Sequence, residues 1–237
     1  MDRVLVKIQG FDVDSFTFEQ AVDWAYTHHG QIVTINPEMI SAAHSNPEFS
    51  KIIKNAELVV ADGIGVEIGL KILGHNIKRI AGIDLGKALI EKYTNNGKSV
   101  AMIGAKPGVV DSAISNLLKE YPTLNVVYSH DGYFSEDTEI LDSVVSANPD
   151  LVLVALGSPK QEFFINDLKN KLPNSTLIGL GGSFDVWAGV VERAPKIYQK
   201  LGLEWLYRTI KEPQRFKRIF PTLPLFVLKV LKERLSK

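Results

Sequence analysis

The sequence predicts an α/β protein: a Rossmann-like, mostly parallel sheet with helices on both faces, plus a basic helical appendage at its C-terminus. Three observations carry that expectation. Apolar runs of strand length alternate with stretches of helical period along most of the chain. Polar, Gly-rich or Pro-rich clusters follow five of those runs, as they do where an open parallel sheet hands the chain to helix N-termini. The charge also divides abruptly near residue 208.

Strands are expected at 3–8, 31–35, 57–61, 98–103, 125–128, 150–156 and 176–180. The first helix opens at Thr17, with Gln20 at capping-box spacing, and stops at Gly30. The next starts at Asn36-Pro37-Glu38, where a side-chain cap, a proline at the first helical position and an acid in the first turn agree. Helical patterns then cover 64–73, 83–95, 107–120, 136–147 and 160–171. The shift in composition divides the chain into a body, 1–207, and an appendage, 208–237. The appendage carries nine Lys/Arg against two Asp/Glu, which leaves the body 18 against 25 and the total at zero.

Composition excludes several classes. At 237 residues and 45% apolar, the chain can bury roughly 70% of its unfolded surface without a metal or disulfide. It has no cysteine, hence no thiolate zinc site and no thiol nucleophile. The N-terminal Met-Asp-Arg-Val-Leu-Val-Lys reaches charge too soon for a signal peptide, and no apolar run approaches the ~20 residues of a membrane span, so a cytoplasmic protein is expected. The acidic body gives no reason to expect nucleic acid, whereas the cationic appendage calls for an anionic partner.

The clusters after the strands should converge on one rim. Gly104 to Gly108 and Gly179 to Asp185 have glycines where a backbone turns sharply and approaches a phosphate. Phe184 stands where the dinucleotide fingerprint needs glycine, and the P-loop ending is missing, so NAD and ATP are disfavoured while a diphosphate remains suitable. Asp62, after the apolar 58–61, has two readings: a carboxylate raised toward general-base range by partial burial, or a cap for the helix that follows. Thr34 and Asn36 face the same choice between capping and holding a sugar. Asp12-Val13-Asp14 has the spacing of a metal–diphosphate pair, but turn and cap chemistry ahead of the first helix accounts for it. The five histidines lack metal-ligand spacing, and Ser158 and Ser183 lack a nucleophile elbow. No metal or other cofactor is therefore expected. In the tail, 206–218 interleaves cations with aromatics. Residues 223–234 form a short basic amphipathic helix, suited either to an anionic membrane face or to packing on the body.

Seven blocks together resemble the WecG/TagA/CpsF family of bacterial glycosyltransferases, closest to its TagA branch. They are Thr34 to Glu38, Ala61 to Val66, Arg79 to Leu85, Gly157 to Glu162, Gly181 to Asp185, Arg193 to Pro195 and Gly202 to Arg208. The resemblance implies an inverting enzyme that moves N-acetylmannosamine from UDP-ManNAc to undecaprenyl-diphosphate-linked GlcNAc in the synthesis of the wall teichoic acid linkage unit. Another UDP-sugar donor is the variant within the family. Asp62 is then the base, with Thr34, Asn36 and Gln161 around the reacting sugars. Gly104, Gly181, Gly182 and Asp185 bind substrate, together with Arg208, Arg215 and Arg218 from a tail that docks on an anionic membrane and completes the site. The expected partners are a UDP-sugar donor, a lipid-linked GlcNAc acceptor, the inner face of the cell membrane and, through the apolar helix face, a second copy of the chain. Phe163-Phe164, Thr209 and Ile219 depart from the family pattern. A nucleotide-sugar-binding regulatory module without turnover is the alternative, and an epimerase or dehydrogenase a more distant one.

Overall fold

Asp12-Val13-Asp14, expected as turn and cap, is part of a strand. β1 (Leu5–Ile8) and β2 (Phe11–Asp14) form an antiparallel hairpin, Leu5 opposite Asp14 and Ile8 opposite Phe11. The turn is Gln9-Gly10, both with positive φ, the geometry that a two-residue hairpin demands. Its first residue is not the usual Asn or Asp, which hid it in the sequence. The structure, a computed structural model, describes residues 3–135, 137–211 and 216–236, and for 208 and 216–219 the backbone alone.

Thr17 caps α1 (Phe18–His28): its hydroxyl accepts the Gln20 N–H while the Gln20 side chain accepts the Thr17 N–H, the expected capping box. β3 (Gly30–Ile35) leads to Asn36, whose Oδ1 accepts the Met39 N–H and starts α2 (Pro37–Ser45). Asn46-Pro47-Glu48 repeats that signature and starts α3 (Pro47–Lys54), a helix the periodicity did not mark. There follow β4 (Leu58–Ala61), α4 (Gly63–Ile72), α5 (Gly82–Asn95), β5 (Ser99–Gly104), α6 (Val109–Glu120), β6 (Asn125–His130), α7 (Asp137–Ala147), β7 (Leu151–Ala155), α8 (Lys160–Lys169) and β8 (Thr176–Gly179). The short α9 (Ser183–Trp187) and α10 (Lys196–Lys200), then α11 (Glu204–Lys211) and α12 (Phe216–Leu235), complete the chain.

Strands β3 to β8 make one six-stranded, all-parallel sheet in the order β4-β3-β8-β7-β5-β6. β4, β7 and β8 are buried along their whole length, as a sheet covered on both faces requires, whereas β6 alternates at the edge. Along β5, Val100 and Met102 enter the core beneath α1, α5, α6 and α9, and Ala101 and Ile103 enter the one beneath α7 and α8. A third cluster joins the hairpin, α2, α3 and α4 to Phe226 and Val230 of α12. The tail helix therefore packs on the body through those two residues. It sits on a groove in α4: a Cβ on Gly69 would meet Ile8 Cδ1 at 2.8 Å and the Phe226 ring at 3.1 Å, and one on Gly65 would meet Leu223 Cδ1 at 2.9 Å.

A candidate active site at the carboxyl edge

β3 and β8 are neighbours, yet β3 feeds a helix on one face and β8 a helix on the other. Such a switch of direction opens a crevice outside the carboxyl ends of the strands. Here it is a cavity of about 750 Å³, within the range of ligand pockets, with β3, β4, β7 and β8 contributing their following loops and α11 and α12 closing the side.

Asp62 is on its wall. The residue occupies the N-cap position of α4 with extended backbone, but its side chain makes no capping bond, which removes the capping reading of its sequence context. Half-buried among apolar β4 neighbours, it loses hydration, and burial pushes its carboxyl up to about 6. The positive Arg79 and the N–H groups of Gly82 and Gly63 oppose that rise, and the negative Glu204 adds to it. At neutral pH the group is mostly ionised, yet basic enough to take a proton.

Thr34 and Asn36 line the same cavity. Thr34 lies against the start of α5, where a Cβ on Gly82 would meet its Oγ1 at 3.1 Å. Asn36 combines the cap of α2 with a place in the cavity wall. Gln161 is there too, 5% exposed, but both its polar atoms are engaged: Oε1 accepts the Gly181 N–H at 2.9 Å and Nε2 donates to Glu162 Oε1 at 2.8 Å. It thereby ties the β7–α8 loop to the β8–α9 loop, and it takes up the Gly181 amide that the sequence offered to a phosphate. Gly181 and Gly182 both line the cavity, and Gly181 turns with a positive φ.

Gly104 and Asp185 are not among the cavity-lining residues. Gly104 faces the Ala155 carbonyl so closely that no side chain fits, so its glycine serves strand-end packing between β5 and β7. Asp185, in α9, accepts the Val190 and Val191 N–H groups at its carbonyl. The side chains of Arg208 and Arg218, and Arg215 altogether, lie outside the described residues; the backbones of Arg208 and Arg218 fall in α11 and α12. Asp12 is exposed beside Lys7, while Asp14 is buried and held by Arg3 and the Val59 N–H, so the two carboxylates do not act as one pair. Among the described residues there is no group of three or more potential metal ligands.

Sequence reasoning did not select Arg79, Glu162, Glu204 or Trp205. Arg79, Glu204 and Trp205 line the cavity. Glu162 is not among the lining residues; it is 3% exposed, accepts from Gln161 Nε2, and burial raises its carboxyl above the ordinary range. The signal was present in the family blocks, where all four residues stand.

Fold and crevice together define a doubly wound α/β protein with a cleft of about 750 Å³ at the carboxyl edge of its sheet, on whose wall the raised carboxyl of Asp62 stands. The chain belongs to the glycosyl transferase WecG/TagA/CpsF family, whose profile matches residues 6–237. It is 39% identical over 207 residues to the N-acetylglucosaminyldiphosphoundecaprenol N-acetyl-beta-D-mannosaminyltransferase of Bacillus spizizenii (strain ATCC 23059 / NRRL B-14472 / W23), covering 86% of this chain and 80% of that protein. It is 38% identical to the protein of the same description from Bacillus subtilis (strain 168), covering 87% of this chain and 80% of the relative.

Proposed function

We propose that this protein transfers N-acetylmannosamine from UDP-ManNAc to undecaprenyl-diphosphate-linked GlcNAc, with inversion, and that Asp62 is the base. The observation that carries the reading is a carboxylate at a helix start that does no capping, walled into the cleft and shifted to about 6. The names of the two Bacillus relatives support the choice of donor and acceptor. In the reaction Asp62 accepts the proton of the acceptor hydroxyl as that oxygen bonds to the anomeric carbon. The bond from that carbon to the diphosphate breaks on the opposite side, and its electron pair leaves with UDP. Thr34 and Asn36 hold the sugars, and Gln161 fixes the two loops between which the donor lies. Charge gathering on UDP is met by cations at the tail, for which Arg208, Arg215 and Arg218 are the candidates.

The acceptor's lipid gives the tail its second role. No described helix is long and apolar enough to cross a membrane. In α12, however, Phe226 and Val230 face the body while Leu225, Leu228 and Leu235 remain 56%, 61% and 88% exposed, interleaved with Lys229 and Lys232. That is the pattern of a helix lying in an anionic interface. The pattern supports a peripheral position on the inner face of the membrane. A second copy covering the same leucines is the competing occupant, and would appear as a dimer without lipid.

The decisive assay follows UDP release from several UDP-sugars with and without lipid-linked GlcNAc. Release only with UDP-ManNAc plus the acceptor, lost in Asp62→Asn, is the expected result; binding without release supports the regulatory-module alternative. For the membrane role, Leu225→Gln/Leu228→Gln spares the buried side of α12, which deletion of 208–237 would strip from the core. The double variant should lose sedimentation with phosphatidylglycerol vesicles. Undiminished sedimentation refutes the docking.

A further inference from the structure

Three segments that the base assignment leaves unused, 79–85, 193–195 and 202–208, are joined by one run of alternating charges. Arg193, between α9 and α10, donates from Nη1 and Nη2 to the two oxygens of Asp84 in α5, at 2.6 and 2.7 Å. Its Nε donates to Glu204 Oε1 at 3.3 Å. The other oxygen of Glu204, at the start of α11, accepts from Arg79 Nη1 at 3.4 Å. Arg79 is fixed further by the Gln199 carbonyl, 2.6 Å from Nη2, and by Glu67, which accepts its backbone N–H at 3.0 Å. Arg79 is in turn the positive group acting on Asp62.

We propose that Glu204 is a positioning residue: its carboxylate, forked between Arg79 and Arg193, clasps α11 across the cleft and sets how much of the Arg79 charge reaches Asp62. The proposal rests on Asp62 as the base. Two features separate this clasp from ordinary surface pairs, which contribute little. The side chains of Glu204 and Arg79 are only 16% and 18% exposed, so water and salt screen them weakly. Each guanidinium also holds two or more acceptors in a fixed plane, which makes the geometry specific. The clasp spans 125 residues between Arg79 and Glu204, and the next residue, Trp205, forms part of the cavity wall, so releasing Glu204 moves the wall together with the charge. Arg79 and Glu204 are the charged groups that act on Asp62 among the described residues, one from the segment before α5 and one from α11. Their effects on Asp62 are opposite, so losing Glu204 leaves the Arg79 charge unneutralised and removes a repelling charge at once, and both changes favour the ionised base.

The test is Glu204→Gln in the full chain, assayed by UDP release across pH. Losing charged hydrogen bonds of this kind should lower kcat/KM about tenfold. The acid limb should move below the wild-type position near 6, and trypsin should cut α11 faster at Arg208 and Lys211. Arg193→Gln should lower kcat/KM and speed cleavage similarly, and the double variant should add little to either single change. Arg193→Lys, which keeps the charge without the fork, should fall between wild type and Arg193→Gln even if Glu204→Gln fails to fold. Wild-type kcat/KM and cleavage in Glu204→Gln overturn the clasp. Reduced turnover with an unmoved acid limb reduces Glu204 to a structural tie and equally overturns the positioning role. Asp62→Asn runs beside them: if it keeps turnover, the base assignment fails, while the cleavage rates and the double variant still decide the clasp.

Discussion

Two aspartates bracket the four residues of β4, and their surroundings could hardly differ more. Asp14 reaches the amino end of the strand, 1% exposed, where Arg3 grips both its oxygens at 2.5 and 3.0 Å and the Val59 N–H donates to it at 2.9 Å. Asp62 follows the carboxyl end, where burial outweighs Arg79 and two backbone N–H groups, leaving the carboxyl at about 6. A buried carboxylate given a full set of partners is a bolt between hairpin and sheet; one left short of them has its proton affinity raised, as the proposed base needs. Substitutions should therefore separate stability from turnover.

The largest effect expected is on chemistry: Asp62→Asn should cut UDP release by at least ~10²-fold, as removal of a general base does, with the circular dichroism spectrum unchanged. In the wild type, kcat/KM should fall as pH drops through 6. Asp14→Asn should do the reverse. It removes the charge from a buried carboxylate whose partner Arg3 is 36% exposed, and so weakens charged hydrogen bonds at a cost of about 1–3 kcal/mol in urea unfolding while turnover per folded molecule persists. Equal loss of turnover in both variants would erase the distinction.

The same comparison makes a prediction of opposite sign for stability. Because the folded carboxyl of Asp62 lies near 6 and its reference near 3.8, ionisation opposes folding, so the wild type loses stability as pH rises through that window. Asp62→Asn should thus be more stable at pH 7.5, by up to about 3 kcal/mol, and the gain should fade as pH falls toward 4. A smaller effect sharpens the tail. Gly69→Ala puts a methyl where Ile8 and Phe226 leave no room, so α12 should be pushed off α4 at a cost of about 1–3 kcal/mol, read as faster proteolysis of the tail before the body unfolds.

Much of this was legible in the residues. Seven of the eight strands were marked by apolar runs, and the starts of α1 and α2 by their caps, because those signals act within a few residues. The hairpin turn at Gln9-Gly10 was missed because its first residue carries no strong turn preference. α3 was missed although Asn46-Pro47-Glu48 matches the start of α2, since eight residues show too little period. Asp62 stood out as an acid directly after an apolar strand, but local sequence alone favoured the cap over the base. Gly104 looked like a phosphate loop, and only the approach of the Ala155 carbonyl revealed packing as its reason.

The sequence by itself determined the alternation of strands and helices, the rim on which the loops gather, the cationic tail and the family, since each is written in short-range patterns of polarity and residue type. The tertiary structure decided which aspartate is tied between hairpin and sheet and which lines the cleft, which glycines face the cleft, and that Arg79, Asp84, Arg193 and Glu204 meet. Desolvation and charge pairing depend on what the folded chain brings within a few ångströms, and those partners come from segments more than a hundred residues apart.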